Sequence, residues 1–225
     1  MQLPSGLATP EAIAEQSARI LLEIKAVSFN AREPFTWTSG RKAPTYVDCR
    51  KVISFPRART ALLDFAAATV IRDIGYESLD AIAGGETAGI PYAAWLSDRL
   101  GLPMQYVRKQ PKGFGRGAQI EGVLNEGDRT LLVEDLATDG GSKLKFVEAL
   151  RNAGAKVSDT FVIFHYGIFP QSVTSLAEIG VRLHALTTWH DVLKVARADN
   201  YFDAHTLDQV ESFLKDPDRW SADNA

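Results

Sequence analysis

Residues 130–142 read TLLVEDLATDGGS. The apolar run Leu131 to Val133 is a short buried-strand signal; it ends on two acids, Glu134 and Asp135, and passes through Thr138, Gly140, Gly141 and Ser142 into the helical period of LKFVEAL. A strand that delivers acids and then a small, hydroxyl- and glycine-rich turn into a helix is a step of a parallel α/β sheet, whose ligands bind at the carboxyl ends of strands. Backbone N–H groups at the helix start, with the positive end of its dipole, favour phosphate there. The acids are then free for something other than that phosphate, either vicinal ribose hydroxyls or a Mg²⁺ ion held jointly with a polyphosphate.

The same alternation continues to both sides. LDAIA, MQYVR and RTLLVE read as strands, separated by the helical TAGIPYAAWLSDRL and a long polar connection, and SKLKFVEALRNA follows as a helix closed by Gly154. VSDTFVIFHY and VRLHALTT read as further strands, and an amphipathic run centred on Leu207, Val210 and Phe213 stops before Pro217. Upstream, Thr9 and Pro10 suit the cap and first position of a helix running to about Lys25. Residues 40–52 hold two short extended pieces around Pro44, and an Ala- and Leu-rich stretch follows from Pro56 to a stop at Gly75. The pattern predicts one α/β domain over residues 1–225, with a central, mainly parallel sheet flanked by helices. A small hood is expected from about residues 1–55 with help from late segments, and RWSADNA at the end is expected to fray or to pack only through Trp220.

With 45% apolar and 24% charged residues and a formal net charge of -3, the chain lacks the basic excess of a nucleic-acid surface. Cys49 is the only cysteine, which excludes an intramolecular disulfide or a cysteine zinc cluster. Acids at 11, 15 and 23 interrupt the first helical pattern, so it does not read as a signal peptide. Nothing approaches the roughly 20 apolar residues needed to span a bilayer. The expectation is a cytoplasmic protein with no membrane or nucleic-acid partner.

Further features bear on chemistry. AGGETAGI, residues 83–90, follows a strand and precedes a helix, and is expected to turn at Gly84 and Gly85 with amides open to a second anion. It is not a dinucleotide fingerprint, since no G-x-G-x-x-G occurs there. YVRKQPKGFGRGAQIEG, residues 106–122, concentrates Arg108, Lys109, Lys112 and Arg116 among glycines and a proline. Polar loops of more than about 12 residues in a compact domain are commonly functional lids or disordered segments. Cations on such a loop can close over a polyphosphate and take up charge as it departs. These loops together suit a ribose phosphate carrying pyrophosphate, displaced at its anomeric carbon with no need for a Ser–His–Asp or Cys–His nucleophile. His184 and His190 read as structural or solvent-facing, His165 follows a strand and could approach a ligand, and Cys49 has no acid–base neighbour pattern.

The motifs resemble those of the type I phosphoribosyltransferases, and within that family its orotate-using branch. VEDLATDGGS is similar to the family's phosphoribosyl-pyrophosphate motif, RKQPKGFG followed by IEG to a mobile catalytic loop, FTWTSGRKAPTYVDCR to the orotate-side segment, and AGGETAGI to the pyrophosphate-side loop. The resemblance covers most of residues 35–154, with the motifs in family order. It implies a type I phosphoribosyltransferase fold and transfer of phosphoribose from phosphoribosyl pyrophosphate to orotate. Mg²⁺ would come through the diphosphate, with no metal ligand directly expected from the chain. It further implies a homodimer with shared active sites. Glu134 and Asp135 would contact the ribose hydroxyls, and Thr138, Asp139, Gly140, Gly141 and Ser142 the 5′-phosphate, with Leu136 and Ala137 also part of the donor site. Arg108, Lys109 and Lys112 would contact pyrophosphate, with Lys112 and Asp135 as the catalytic pair. Phe35, Thr38, Ser39, Gly40 and Thr138 would shape the orotate end, and Lys42 or Arg50 would compensate its carboxylate. A phosphoribosyltransferase for another nucleobase, or a regulatory protein binding the same donor, would share the donor loops. The chain also departs from the family: Thr38 stands where lysine is common, Phe114 where histidine or tyrosine is common, and FHYGIFP where many members place Asp-Arg.

Overall fold

The computed structural model describes residues 9–37, 39–113, 119–138 and 140–224; Thr38, Phe114, Arg116 and Asp139 lie outside the described residues. The chain opens with α1 (Pro10–Glu23), capped by the Thr9 hydroxyl accepting from the Ala12 amide at 3.2 Å. Short strands follow: β1 (Val27–Phe29), β2 (Phe35–Thr36), β3 (Lys42–Ala43) and β4 (Thr45–Val47), then a 3₁₀ turn at Cys49–Ser54 and α2 (Pro56–Asp73). The alternating part contains β5 (Ala81–Gly85), α3 (Gly89–Leu100), β6 (Met104–Val107), β7 (Ile120–Glu121), β8 (Thr130–Ala137), α4 (Gly141–Ala153) and β9 (Asp159–His165). The chain ends with α5 (Gln171–Glu178), β10 (Arg182–Thr188), α6 (Trp189–Ala198), α7 (Ala204–Lys215) and α8 (Pro217–Asp223).

The main sheet runs in the order β10-β9-β8-β5-β6-β7. Every pair in it is parallel except β6 with the short edge strand β7, which is antiparallel. Residue alternation sends side chains of β8 to opposite faces. Leu131 and Val133 join a core with Leu62, Tyr92, Leu96 and Trp189, while Leu132 joins Phe146, Val147 and Leu150 of α4. The central strand is therefore apolar on both faces until it reaches Glu134. No helix among the described residues is long and apolar enough to cross a membrane.

Over one end sits a hood. β1 pairs with β4 and β2 with β3, both antiparallel, and aromatic packing joins them to the late segments. Trp37 meets Tyr166, Phe169 and Phe213 edge-on, and its indole N–H donates to the Thr45 carbonyl at 2.9 Å. Such ring pairs add about 0.5–1.5 kcal/mol each beyond their buried area. The expectation of a frayed C-terminus is corrected here. Residues 217–223 form a helix with Asp216 as its cap, Trp220 packs on Phe213, and Ser221 Oγ accepts from the Lys42 amide at 2.9 Å. Asp218 also meets Arg41.

Candidate active site

In sheet order β5 and β8 are neighbours, yet the chain leaves β5 for β6 on one side and β8 for β9 on the other. Their connections diverge, opening a crevice at the carboxyl ends. A cleft of about 890 Å³ lies there, with Arg50, Glu86, Lys109, Glu134, Ser142 and Lys145 among its lining residues.

Close approach of β5 and α3 to β8 explains AGGETAGI, and it corrects the expected turn. Gly84 and Gly85 are buried inside β5, and the turn is made by Glu86–Ala88, with a cis peptide between Glu86 and Thr87. A Cβ on Gly85 would fall 1.7 Å from Glu134 Oε1, and one on Gly89 2.4 Å from the Val133 carbonyl. The glycines are there to admit Glu134 beside the neighbouring strand. Glu86 turns its carboxylate to the cationic loop, accepting from the Lys109 amide at 2.7 Å. The loop base is closed by the Arg108 amide on the Gln119 carbonyl and by Gln119 Nε2 on the Arg108 carbonyl.

Glu134 and Asp135 are each 8% exposed. Burial pushes the Glu134 carboxyl up to about 7, against the opposing pull of Lys143 and with a further push from Asp135. Burial also raises Asp135, opposed by Lys143 and by the backbone amide of Leu136, which donates to Asp135 Oδ1 at 2.9 Å. Glu134 Oε1 is buried and has no hydrogen-bond partner. Such an acceptor is costly unless something donates to it.

The phosphate-loop residues follow directly. Gly140 adopts a left-handed φ of 87° as the residue before α4, and Ser142 in the first turn of α4 lines the cleft. Thr138 lies beside Tyr166, which packs edge-on against Trp37 of the hood. The Lys143 ammonium donates to the Leu136 carbonyl at 2.6 Å and stands 3.9 Å from Glu134 Oε2.

The structure thus brings together Arg50, Lys109, Glu134 and Ser142 around one cleft; Asp135, the next residue of β8, does not line it. It separates others. Arg108 is paired with Glu121 at 3.4 Å, and Lys112 is exposed. Phe35 stacks at 5.4 Å on Tyr46 in the hood, and Lys42 is held there through its amide. Among the described residues, the cleft lining includes none of Phe35, Ser39, Gly40 and Lys42. Arg50 keeps its guanidinium Nε on Asp48 at 2.7 Å. His165 Nε2 lies 2.8 Å from Ser172 Oγ, and Ser172 spends its hydrogen on the Phe169 carbonyl at 2.7 Å, so the imidazole is the donor. Burial pushes the Cys49 thiol well up, which agrees with an inert side chain. Sequence reasoning missed Glu86 and Lys143. Glu86 carried a signal, a carboxylate directly after the strand-end glycines, whereas Lys143 resembled any lysine in a first helical turn.

The phosphoribosyl transferase domain model matches residues 56–168, which run from the start of α2 to just past the end of β9 and leave β1 to β4 outside. Orotate phosphoribosyltransferase of Cereibacter sphaeroides (strain KD131) is 60% identical over 97% of this chain and 94% of its own length. The solved orotate phosphoribosyltransferase of Aeropyrum pernix superposes with a TM-score of 0.69 at 31% identity, covering 83% of this chain and 99% of that one. UMP synthase of Leishmania donovani superposes with a TM-score of 0.76 at 27% identity over 91% of this chain; the chain spans only 42% of that protein. The expected type I fold and these likenesses agree: the chain belongs to the phosphoribosyltransferase family, in its orotate phosphoribosyltransferase branch.

Proposed function

We propose that the cleft between β5 and β8 binds phosphoribosyl pyrophosphate and that its phosphoribosyl group passes to N1 of orotate. A bond forms between N1 and the anomeric carbon and the bond from that carbon to the diphosphate oxygen breaks; diphosphate leaves with the electron pair, and the N1 proton passes to diphosphate or solvent. Orotidine 5′-monophosphate is the other product. The buried, unpartnered Glu134 Oε1 beside Ser142 and Lys109 carries this reading, because it offers an acceptor to a hydroxyl-bearing ligand between a phosphate loop and a cation.

In this reading the α4 start takes the 5′-phosphate and the acid pair takes the ribose hydroxyls, while Lys109 and Lys112 meet the departing diphosphate. Preorganised cations at the leaving oxygen lower the barrier without covalent chemistry by the protein. Mg²⁺ enters as part of the substrate, on the diphosphate. Arg50 is the cleft cation suited to the orotate carboxylate, because a guanidinium can meet a carboxylate with two parallel hydrogen bonds. The same reading includes a homodimer in which each Lys112 serves the partner's cleft, consistent with its exposure here. It also places the reaction in the cytoplasm, where a lone buried thiol such as Cys49 is at home.

Initial rates with phosphoribosyl pyrophosphate, Mg²⁺ and a panel of orotate, uracil, adenine, guanine, hypoxanthine and xanthine test the proposal. Orotate turnover is expected to exceed that of every other base. Faster turnover of a purine would replace orotate as acceptor, and donor binding with no turnover of any base would make the chain a regulatory binder.

A further inference from the structure

Lys143 is 2% exposed, although it lies in the first turn of α4, where the helix dipole disfavours a cation. Lysine is almost never fully buried unless paired. Its surroundings supply the reason. Its ammonium donates to the Leu136 carbonyl at 2.6 Å, at the first peptide after the acid pair, and faces Glu134 Oε2 at 3.9 Å. Its charge lowers both Glu134 and Asp135. Among the described residues, His165 at the end of β9 also feels its charge, while Lys109 and Lys145 line the cleft that Glu134 lines. Two adjacent buried carboxylates repel each other and resist ionisation, and the buried cation beside them opposes the rise that burial imposes on both.

We propose that Lys143 is a positioning residue for the donor: its buried ammonium fixes the Leu136 carbonyl and compensates the Glu134–Asp135 pair, so the ribose acceptors and the start of the phosphate loop are in place before the donor binds. The inference rests on the donor-site reading above. Lys143 does not touch the reacting atoms, and it acts in the ground state and the transition state alike. Its loss therefore weakens donor binding more than it slows turnover.

The test measures kcat, orotate KM and calorimetric donor Kd for the wild type, Lys143→Met, Glu134→Gln and the double variant. Wild-type turnover of orotate checks the underlying reading on its own; its absence would overturn that reading, whatever Lys143 does. With turnover present, Lys143→Met is expected to raise donor Kd on the order of 10- to 100-fold, the usual cost of losing an outer partner that orients site ligands. Orotate KM and kcat should stay within about threefold. In the Glu134→Gln background the same substitution should cost at least about threefold less, because the charge it compensates is gone. Unchanged donor Kd with lowered kcat, or equal costs in both backgrounds, would overturn the proposal. Should Lys143→Met alone fail to fold, the double variant decides: a folded protein with donor Kd near that of Glu134→Gln supports charge compensation, and a second failure to fold assigns Lys143 to packing instead.

Discussion

Gly85→Ala should injure stability and donor binding together, because the methyl it adds claims the place of the Glu134 carboxylate, which is proposed to hold the donor ribose. An ideal Cβ there sits 1.7 Å from Glu134 Oε1, 2.7 Å from Glu134 Cδ and 2.7 Å from Phe146 Cε2. Ordinary contact begins near 3.4 Å, so the oxygen must retreat by about as much again as its present separation. The backbone at Gly85 has no left-handed φ, so the cost is steric. Overpacking of this kind costs about 1–3 kcal/mol, which lowers Tm by roughly 3–10 °C in a chain of this size. The second effect is larger in proportion, since a misplacement of about 1 Å at a reacting site can cost on the order of 100-fold in rate. Differential scanning fluorimetry gives the first, and initial rates with varied phosphoribosyl pyrophosphate give the second. A variant with Tm within about 1 °C of wild type and donor kcat/KM within about threefold would refute the reasoning.

Glu134 titrates near 7, above its ordinary 4.5, so between those values the unfolded chain gives up a proton that the folded chain keeps. Stability should fall by about 3 kcal/mol as pH rises through that window and then level off, and Glu134→Gln should lack this slope in Tm-versus-pH scans; an identical slope would disprove the assignment. Donor affinity runs the opposite way, since hydroxyls need the anion, and wild-type donor KM should rise as pH falls through about 7. Lys112→Ala should lower kcat by about 10²–10³-fold, as expected for loss of leaving-group stabilisation. Mixing it with inactive Asp135→Asn should restore activity if partners share the loop, and no restoration after demonstrated subunit exchange would count against sharing. Arg50→Ala should erode the preference for orotate over uracil, whereas Lys42→Ala should leave it intact; the reverse result would move the carboxylate to the hood.

The donor side was legible because its signals are local. A buried strand ending in acids and a glycine turn before a helical period occupy consecutive residues, and β8 with α4 follows them closely. AGGETAGI was harder, since glycine serves a turn and a close approach equally well, and only the position of Glu134 tells the two apart. Strand–helix alternation likewise revealed the sheet, but its edge strand β7 has just Ile120–Glu121 to show. The C-terminal helix was lost because much of its support is distant: Trp220 on Phe213 is near in sequence, but Ser221 on Lys42 and Asp218 on Arg41 are long-range contacts. The helix α6 went unread although its capping box, Thr188 with Asp191, lies in plain sequence. The orotate end was least legible, because the hood places residues by packing rather than by period, and Phe35 and Lys42 face partners there that no spacing rule predicts.

The central claim is that the crevice between β5 and β8 is the donor site. A crystal structure with phosphoribosyl pyrophosphate, Mg²⁺ and orotate bound tests it most directly. The 5′-phosphate should rest on the amides at the start of α4, the ribose hydroxyls on Glu134 and Asp135, and the diphosphate beside Lys109, with the orotate carboxylate toward Arg50. A donor bound with its ribose away from the Glu134–Asp135 pair, or its 5′-phosphate away from Ser142, would contradict the account.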